Sequence, residues 1–271
     1  EVVYLPGAAI DTDSVRDADA LIIRTRTLCN RQLLEGSRVR FIATATIGYD
    51  HLDTHYLHEV GIQWTNGPGC NATSVAQYVR NALLEAEKSG LIHLREATLG
   101  IIGYGHVGKA VYAAVSPYVK NIVLNDPPLG LHHDVSQCDI VALHTPLTTE
   151  VPYPTYHLVD EHFLSHLTQE PLLINAARGG VVCEQALLQA MDKGRVRQAL
   201  IDTWEGEPDI DHSLLKRVFI GTPHIAGYSA DGKANATRMA LEALARWIGK
   251  QQTFDIRPPQ ARLRRTGQRS S

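Results

Sequence analysis

The run ATLGIIGYGHVGKAV, Ala97 to Val111, constrains this chain more than any other stretch. An apolar, β-forming segment enters a turn with Gly103, Gly105 and Gly108 in G-x-G-x-x-G spacing, and a helix-forming segment follows. Each glycine has a separate task in such a turn. Gly103 permits the sharp reversal, Gly105 lets the backbone approach a pyrophosphate, and Gly108 lets the helix pack close to the sheet. The new helix then offers unpaired N–H groups and the positive end of its dipole to the phosphates. Residues Gly103, Tyr104, Gly105, His106, Val107 and Gly108 are therefore candidate dinucleotide contacts. With 21 glycines in the chain the spacing alone is a weak signal. Context strengthens it: a second strand-like run, NIVLND, ends at Asp126, 23 residues after Gly103. An acid at that distance accepts hydrogen bonds from the adenosine ribose. Its charge repels a 2′-phosphate, and no arginine follows in DPPLG, so the expected cofactor is NAD rather than NADP. A glycine turn in an unrelated α/β protein, or an S-adenosylmethionine site, would share the motif.

The rest of the chain alternates in the same way. EVVYLPG, ALIIRTRT, VRFIATATIG and GIQWTNGPG read as strands before Asn71. NATSVAQYVRNALLEAEKSG reads as a long helix, with Asn/Thr/Ser start signals and Gly90 as its stop. CDIVALHTPL, PLLINAARGG, QALIDTWEG and VFIGTPHIAG then read as strands that end in polar loops, and DGKANATRMALEALARWIGK as a closing helix. Such alternation predicts parallel sheets flanked by helices. Ligands of open α/β sheets bind beyond the carboxyl ends of the strands, so Asp126, Thr145, Arg178, Asp202 to Glu207 and His224 should face one crevice.

Composition narrows the partners. The net charge of −3 gives no basic field for nucleic acid, and no apolar run approaches the roughly 18 residues of a membrane span. Four scattered cysteines without a CxxC suit a reducing cytoplasm. His51, His55 and His58 fall at helical spacing, but no carboxylate completes a known signature, and no metal is expected.

Oxidising a 2-hydroxy acid beside a nicotinamide needs a base for the hydroxyl proton, a cation for the carboxylate, and an acid to orient the base. The strand-end loops offer one of each. Arg178 in NAARGG can grip a carboxylate bidentately, and His224 in TPHIAG is an imidazole that can take or give a proton near neutral pH. The acid comes from DTWEGEP, where spacing does not separate Glu205 from Glu207.

With these pieces the chain resembles the D-isomer-specific 2-hydroxyacid dehydrogenases from about Val2 to Gly249. The family-wide pieces are GIIGYGHVGKAV, LINAARGGVV, the EP dipeptide and TPHIAG. Narrower pieces are ATATIGYDHLD, GPGCNATSVAQYV, NDPP, HTPL followed by YHLVD, and DTWEGEP. They resemble the branch that acts on 4-phospho-D-erythronate in pyridoxal 5′-phosphate (vitamin B6) synthesis. The resemblance implies two Rossmann-like domains, each a doubly wound parallel sheet, with a cleft between them. A discontinuous substrate domain would take residues 1–76 and 229–251, an NAD-binding domain 77–228, and a basic tail 252–271. It implies catalytic Arg178, Glu207 and His224, and leaves Glu205 a solvent-facing or turn-capping bystander. It adds cofactor contacts from Thr145, Ala176, Asp202 and Gly227, and substrate contacts from Thr25, Thr46 and Tyr228. The implied partners are a small phosphorylated 2-hydroxy acid and a second copy in a homodimer. Other D-2-hydroxy acids, or an NAD-sensing corepressor-like role, would use the same motifs. The chain departs from the family in four ways. The family's first strand is missing ahead of Glu1. Only 12 residues separate Asp126 from Asp139, barely room for a crossover helix. Cys183 stands where relatives carry a capping Asp. The further C-terminal domain of some relatives is represented here by the basic tail alone.

Overall fold

The computed structural model describes residues 1–259, so the basic tail lies outside the described residues from position 260 onward. The described chain divides into two compact units. One comprises residues 1–70 and 229 onward, the other Asn71–Tyr228.

The first unit contains α1 (Thr12–Val15), β1 (Ala20–Ile23), α2 (Arg31–Leu34), β2 (Phe41–Thr44), α3 (Thr54–Glu59) and β3 (Gln63–Thr65). The second contains α4 (Ala72–Lys88), β4 (Thr98–Ile102), α5 (His106–Val115), β5 (Asn121–Asp126), β6 (Leu131–His132), β7 (Ile140–Leu143) and α6 (Glu161–Ser165). It continues with β8 (Leu172–Asn175), α7 (Glu184–Asp192), β9 (Gln198–Ile201), α8 (His212–Leu215) and β10 (Ile220–Gly221). Helix α9 (Ala230–Trp247) belongs to the first unit.

In the first unit β1, β2 and β3 form a parallel sheet in that order. Alternation along β2 feeds two cores. Ile42 packs with Val15, Leu34 and Leu57, whereas Phe41 and Ala43 meet the alanine face of α9 (Ala236, Ala240, Ala243). Phe41 stacks on Trp247 with ring centroids 5.3 Å apart. Small residues on α9 let the helix lie close to the sheet. Two expectations fail in this unit. EVVYLPG forms no strand: residues 1–6 have no regular structure, and Val2, Val3 and Tyr4 are exposed, so nothing buries the apolar run. The three histidines do not share a helix, because α3 starts at Thr54 and leaves His51 ahead of it, buried against the Thr44 hydroxyl at 2.9 Å.

The second unit holds a seven-stranded sheet in the order β10-β9-β8-β7-β4-β5-β6. Every pairing is parallel except that of β5 with β6. Leu99, Ile101, Ile140, Ala142, Leu172, Ile174 and Leu200 face one core with α4 and α5. Their neighbours Ile102, Val141, Leu143, Leu173, Ala199 and Ile201 face the other with α6, α7 and α8. Helices on both faces make these strands apolar on both sides, as parallel strands require. The short Asp126–Asp139 segment carries no crossover helix. The chain turns at Pro127–Leu129, pairs β6 antiparallel to β5, and returns to β7 on the far side of β4. Strand order thus reverses at β4, and the carboxyl ends of β4 and β7 lie side by side, with Ile102 opposite Leu143. That is the topological switch point where such sheets bind ligands.

The unit's two ends meet. A side chain at Gly227 would collide with the Asn71 amide, and the Ser74 hydroxyl donates to Ala226 O at 2.8 Å. In the first unit, Asn235 Nδ2 on α9 donates to Cys70 O at 3.3 Å.

Candidate active site

The glycine turn has the shape its sequence demands. Gly103 sits at φ +92°, and a Cβ there would lie 2.7 Å from the His144 carbonyl, so only glycine fits. Gly108 faces the Gly103 carbonyl too closely for any side chain. Gly105, the N-cap of α5, is different: a Cβ built on it meets nothing within 4 Å. Open space in front of the N-terminus of a ten-residue helix is what a pyrophosphate needs. Asp126 ends β5 and accepts the Tyr104 N–H at 2.6 Å, which ties the acid to the turn. Beside the turn, the end of β7 places Thr145 with a buried hydroxyl that has no partner among the described residues. Its neighbour His144 is buried with both ring nitrogens unpartnered, and burial pushes its pKa down to about 4. These residues fit a dinucleotide: a backbone cradle, an acid at the ribose distance, and polar groups without protein partners.

Two adjacent loops carry the candidate reacting residues. Arg178 follows β8, and its loop is held by Asn175, whose Nδ2 donates to Arg178 O at 3.0 Å and to Thr203 O at 3.3 Å. Gly179 then passes so close to the Trp204 backbone that no side chain fits between. The second loop follows β9. Glu207 Oε1 accepts the Trp204 N–H at 2.7 Å, and Glu207 Oε2 lies 2.8 Å from His224 Nδ1. A carboxylate only accepts, so Nδ1 is the protonated nitrogen, and Nε2 keeps a lone pair with no partner among the described residues. His224 is half-exposed and adopts φ +55°, a left-handed conformation rare for a non-glycine residue.

Asp202 makes that conformation hold. Its buried carboxylate accepts the Thr222 hydroxyl at 2.6 Å, the Ile225 N–H at 2.8 Å and the Ala226 N–H at 2.9 Å, while its carbonyl accepts the His224 N–H at 2.8 Å. The Tyr78 hydroxyl extends the chain to Thr222 at 2.7 Å. Asp202 thus anchors the histidine loop from both of its polar ends. Trp204 is buried, with its indole N–H on Thr222 O at 2.8 Å. Ala176 is half-buried beside Asn175, Gly227 lies against Asn71, and Tyr228 is exposed.

Thr25 and Thr46 belong to the first unit. Thr25 is exposed in the turn after β1. Thr46 lies in a hydroxyl chain, 2.7 Å from Thr44 Oγ1 and donating to Gly48 O at 2.8 Å. Arg24 donates to Lys233 O and the Thr237 hydroxyl, both at 3.1 Å.

Glu205 does not simply face solvent. Its Oε1 lies 2.6 Å from His157 Nε2, and its N–H donates to Glu184 Oε1 at 2.7 Å. Sequence reasoning missed His157, Thr222 and Tyr78 as well. Their partners are 48, 20 and 144 residues away, so no local spacing signals them. Cys183 caps α7 without a side-chain hydrogen bond, as a poor capping residue would. Among the described residues no group of three His, Cys, Asp or Glu side chains is placed to hold a metal, and no helix is long and apolar enough to cross a membrane.

A family model described as D-isomer specific 2-hydroxyacid dehydrogenase, NAD binding domain, matches residues 71–226. Among curated proteins the chain is 50% identical over 270 residues to the erythronate-4-phosphate dehydrogenase of Bacteroides fragilis, covering 96% of this chain and 78% of that protein. It is 49% identical over 269 residues to the enzyme of the same name from Bacteroides thetaiotaomicron, covering 96% and 77%. Among solved structures, the NAD-bound 3-phosphoglycerate dehydrogenase of Entamoeba histolytica superposes with a TM-score of 0.77 at 22% identity, covering 94% of this chain and 88% of that one. The last likeness speaks to fold alone. The matched domain and the cradle together make NAD the cofactor.

Proposed function

The chain belongs to the D-isomer specific 2-hydroxyacid dehydrogenases, and we propose that within this family of NAD-dependent oxidoreductases it oxidises 4-phospho-D-erythronate to the 2-oxo acid. The observation that carries the substrate is the 50% identity, over 96% of the chain, to a protein of that named activity. The observation that carries the chemistry is the 2.8 Å contact of Glu207 with His224 Nδ1, which leaves Nε2 free to act.

NAD, when bound at the Gly103–Gly108 turn and Asp126, supplies the hydride acceptor. The residues of the chain do the rest. Arg178 grips the substrate carboxylate and polarises the adjoining oxygen as it becomes a carbonyl. His224 Nε2 takes the C2 hydroxyl proton as general base, and returns it in the reverse direction. Glu207 holds the ring by Nδ1 and stabilises the imidazolium that forms. Asp202 acts through the loop it anchors. Thr25, Thr46 and Tyr228 are the residues we assign to the body of the substrate, with the phosphate among their polar groups. The same reading makes the protein a cytoplasmic homodimer that serves pyridoxal 5′-phosphate synthesis.

A panel of 2-hydroxy acids tests the proposal, with NADH formation followed by absorbance. Turnover of 4-phospho-D-erythronate at a kcat/KM well above those of 3-phosphoglycerate, D-lactate and glycolate is expected. Preference for any of the latter overturns the substrate. Absence of turnover across the panel, with NAD still bound, would favour a sensing role.

A further inference from the structure

A second histidine–carboxylate pair lies two residues from the first. We propose that His157 is a positioning residue of the site: its imidazole on Glu205 and its backbone N–H on Gly180 tie the loop that carries Arg178 to the turn that carries Glu207. The inference rests on the roles proposed above for Arg178, Glu207 and His224.

The geometry is specific. His157 N–H donates to Gly180 O at 2.8 Å, two residues beyond Arg178. His157 Nε2 meets Glu205 Oε1 at 2.6 Å, two residues before Glu207. One residue therefore touches both loops, by its backbone on one side and its ring on the other. Between them the Gly179 and Trp204 backbones are packed without room for a side chain. Asn175 bridges the same seam, through Thr203 O and Arg178 O.

A solvated surface ion pair would look different. The His157 and Glu205 side chains are about two-thirds buried, at 29% and 34% exposure. Glu205 is gripped at its other end by Glu184 Oε1, and the His157 ring stacks on Tyr156 with centroids 4.0 Å apart and planes at 16°. His157 also adopts φ +49°. Such a conformation is disfavoured for a non-glycine residue and persists where the surroundings over-determine it. Three non-glycine residues among those described have positive φ, and two of them are His224 and His157. The ring thus holds a strained backbone for a contact that spans both catalytic loops.

Substitutions in the full-length chain separate positioning from folding. Asn tolerates the left-handed backbone but is too short to reach Glu205, whereas Gln presents an amide nitrogen where the imidazole Nε2 stands. His157→Asn should lower kcat by about tenfold, as expected for misplaced reacting groups, while the NAD dissociation constant stays within about twofold. The thermal midpoint should stay close to wild type. His157→Gln should recover most of the loss. Glu205→Ala should match His157→Asn, and the double variant should be no slower than either single one, since both break one contact. An unchanged kcat in His157→Asn, failure of Gln to rescue, or a loss that tracks falling thermal stability and NAD affinity would each overturn the proposal. If the wild type prefers another 2-hydroxy acid, the substrate reading fails and the comparison runs on that acid. Oxalate titrated into the NADH complex by nicotinamide fluorescence reads the Arg178 loop without turnover. Weaker binding in His157→Asn supports the role, and unaltered binding counts against it.

Discussion

Glu207 uses both of its oxygens, and that fixes what the most conservative change would do. Oε1 holds the Trp204 N–H and Oε2 holds His224 Nδ1–H. In Glu207→Gln the single carbonyl oxygen keeps the backbone bond, and the amide NH₂ then faces Nδ1. Two donors cannot face each other, so the imidazole moves its proton to Nε2 and loses the lone pair that we assign to the substrate proton. The expected result is a fall in kcat of at least about a hundredfold, in the range ascribed to general base catalysis. The NAD dissociation constant and thermal midpoint should change little. Stopped-flow turnover and NAD titration check this. A mild effect would mean that the carboxylate is not what orients the ring.

At the scale of the element, the strand–turn–helix at Gly103–Gly108 contains its own control. Gly103→Ala places a methyl group 2.7 Å from the His144 carbonyl at a φ of +92°. It should lower stability by roughly 1–3 kcal/mol, as strained backbone does. Gly105→Ala meets no protein atom within 4 Å. It should leave the thermal midpoint unchanged and weaken NAD by about tenfold or more, because the methyl group fills the approach to the pyrophosphate. Thermal melts and isothermal NAD titrations on both variants distinguish the two glycines. This element was legible in the sequence because the glycine spacing between an apolar strand and a helix is a pattern in itself, and an acid ending the next strand completes it. The parallel strands and α4, α5 and α9 were legible from short apolar runs and from helix start and stop residues. What was not legible depends on tertiary neighbours. EVVYLPG has strand composition but pairs with neither edge of the β1-β2-β3 sheet. The segment after Asp126 could be counted as short, but a hairpin edge in place of a helix follows from where β4 and β7 lie. Glu205 looked like a spare acid because His157, 48 residues away, carries no pattern that points to it. Asp202 was marked as a site residue, yet its anchoring of the histidine loop depends on Thr222, Ile225 and Ala226, which only the fold brings round.

At the scale of the whole molecule, buried histidines set the response to acid. Burial holds His144 at about 4, against an ordinary value of 6.5, and lowers His51 in the first unit too. Above pH 6.5 both folded and unfolded chains keep these rings neutral, so they cost nothing. Below it the unfolded chain takes up protons that the folded chain refuses, and stability falls as pH drops from 6.5 towards 4. For His144 the loss reaches roughly 3 kcal/mol, at about 1.4 kcal/mol per unit. Asp11 and Asp134, held low by hydrogen bonds from Ser14 and Ser136, add to the loss only as the pH falls further, through the carboxylate range. Burial raises the Glu184 carboxyl, which takes up its proton more readily when folded and opposes the trend. The thermal midpoint should therefore decline between pH 6.5 and 4, and His144→Phe should flatten that decline. A midpoint independent of pH over this range would show that His144 is hydrated in solution.

The contact between Asn71 and Gly227 has a consequence for how this molecule can change. The second unit enters and leaves the polypeptide at touching points, so it is an insert with both ends at one place, while Cys70 is held in turn by Asn235 of the closing helix. An insert of that form can be exchanged for a cousin's through two splices, and the three residues proposed to react would travel inside it together with the cradle. Thr25 and Thr46 would stay behind. Lineages built this way can revise the inserted unit as one cassette and vary the host segment, with the two threonines we assign to substrate, separately.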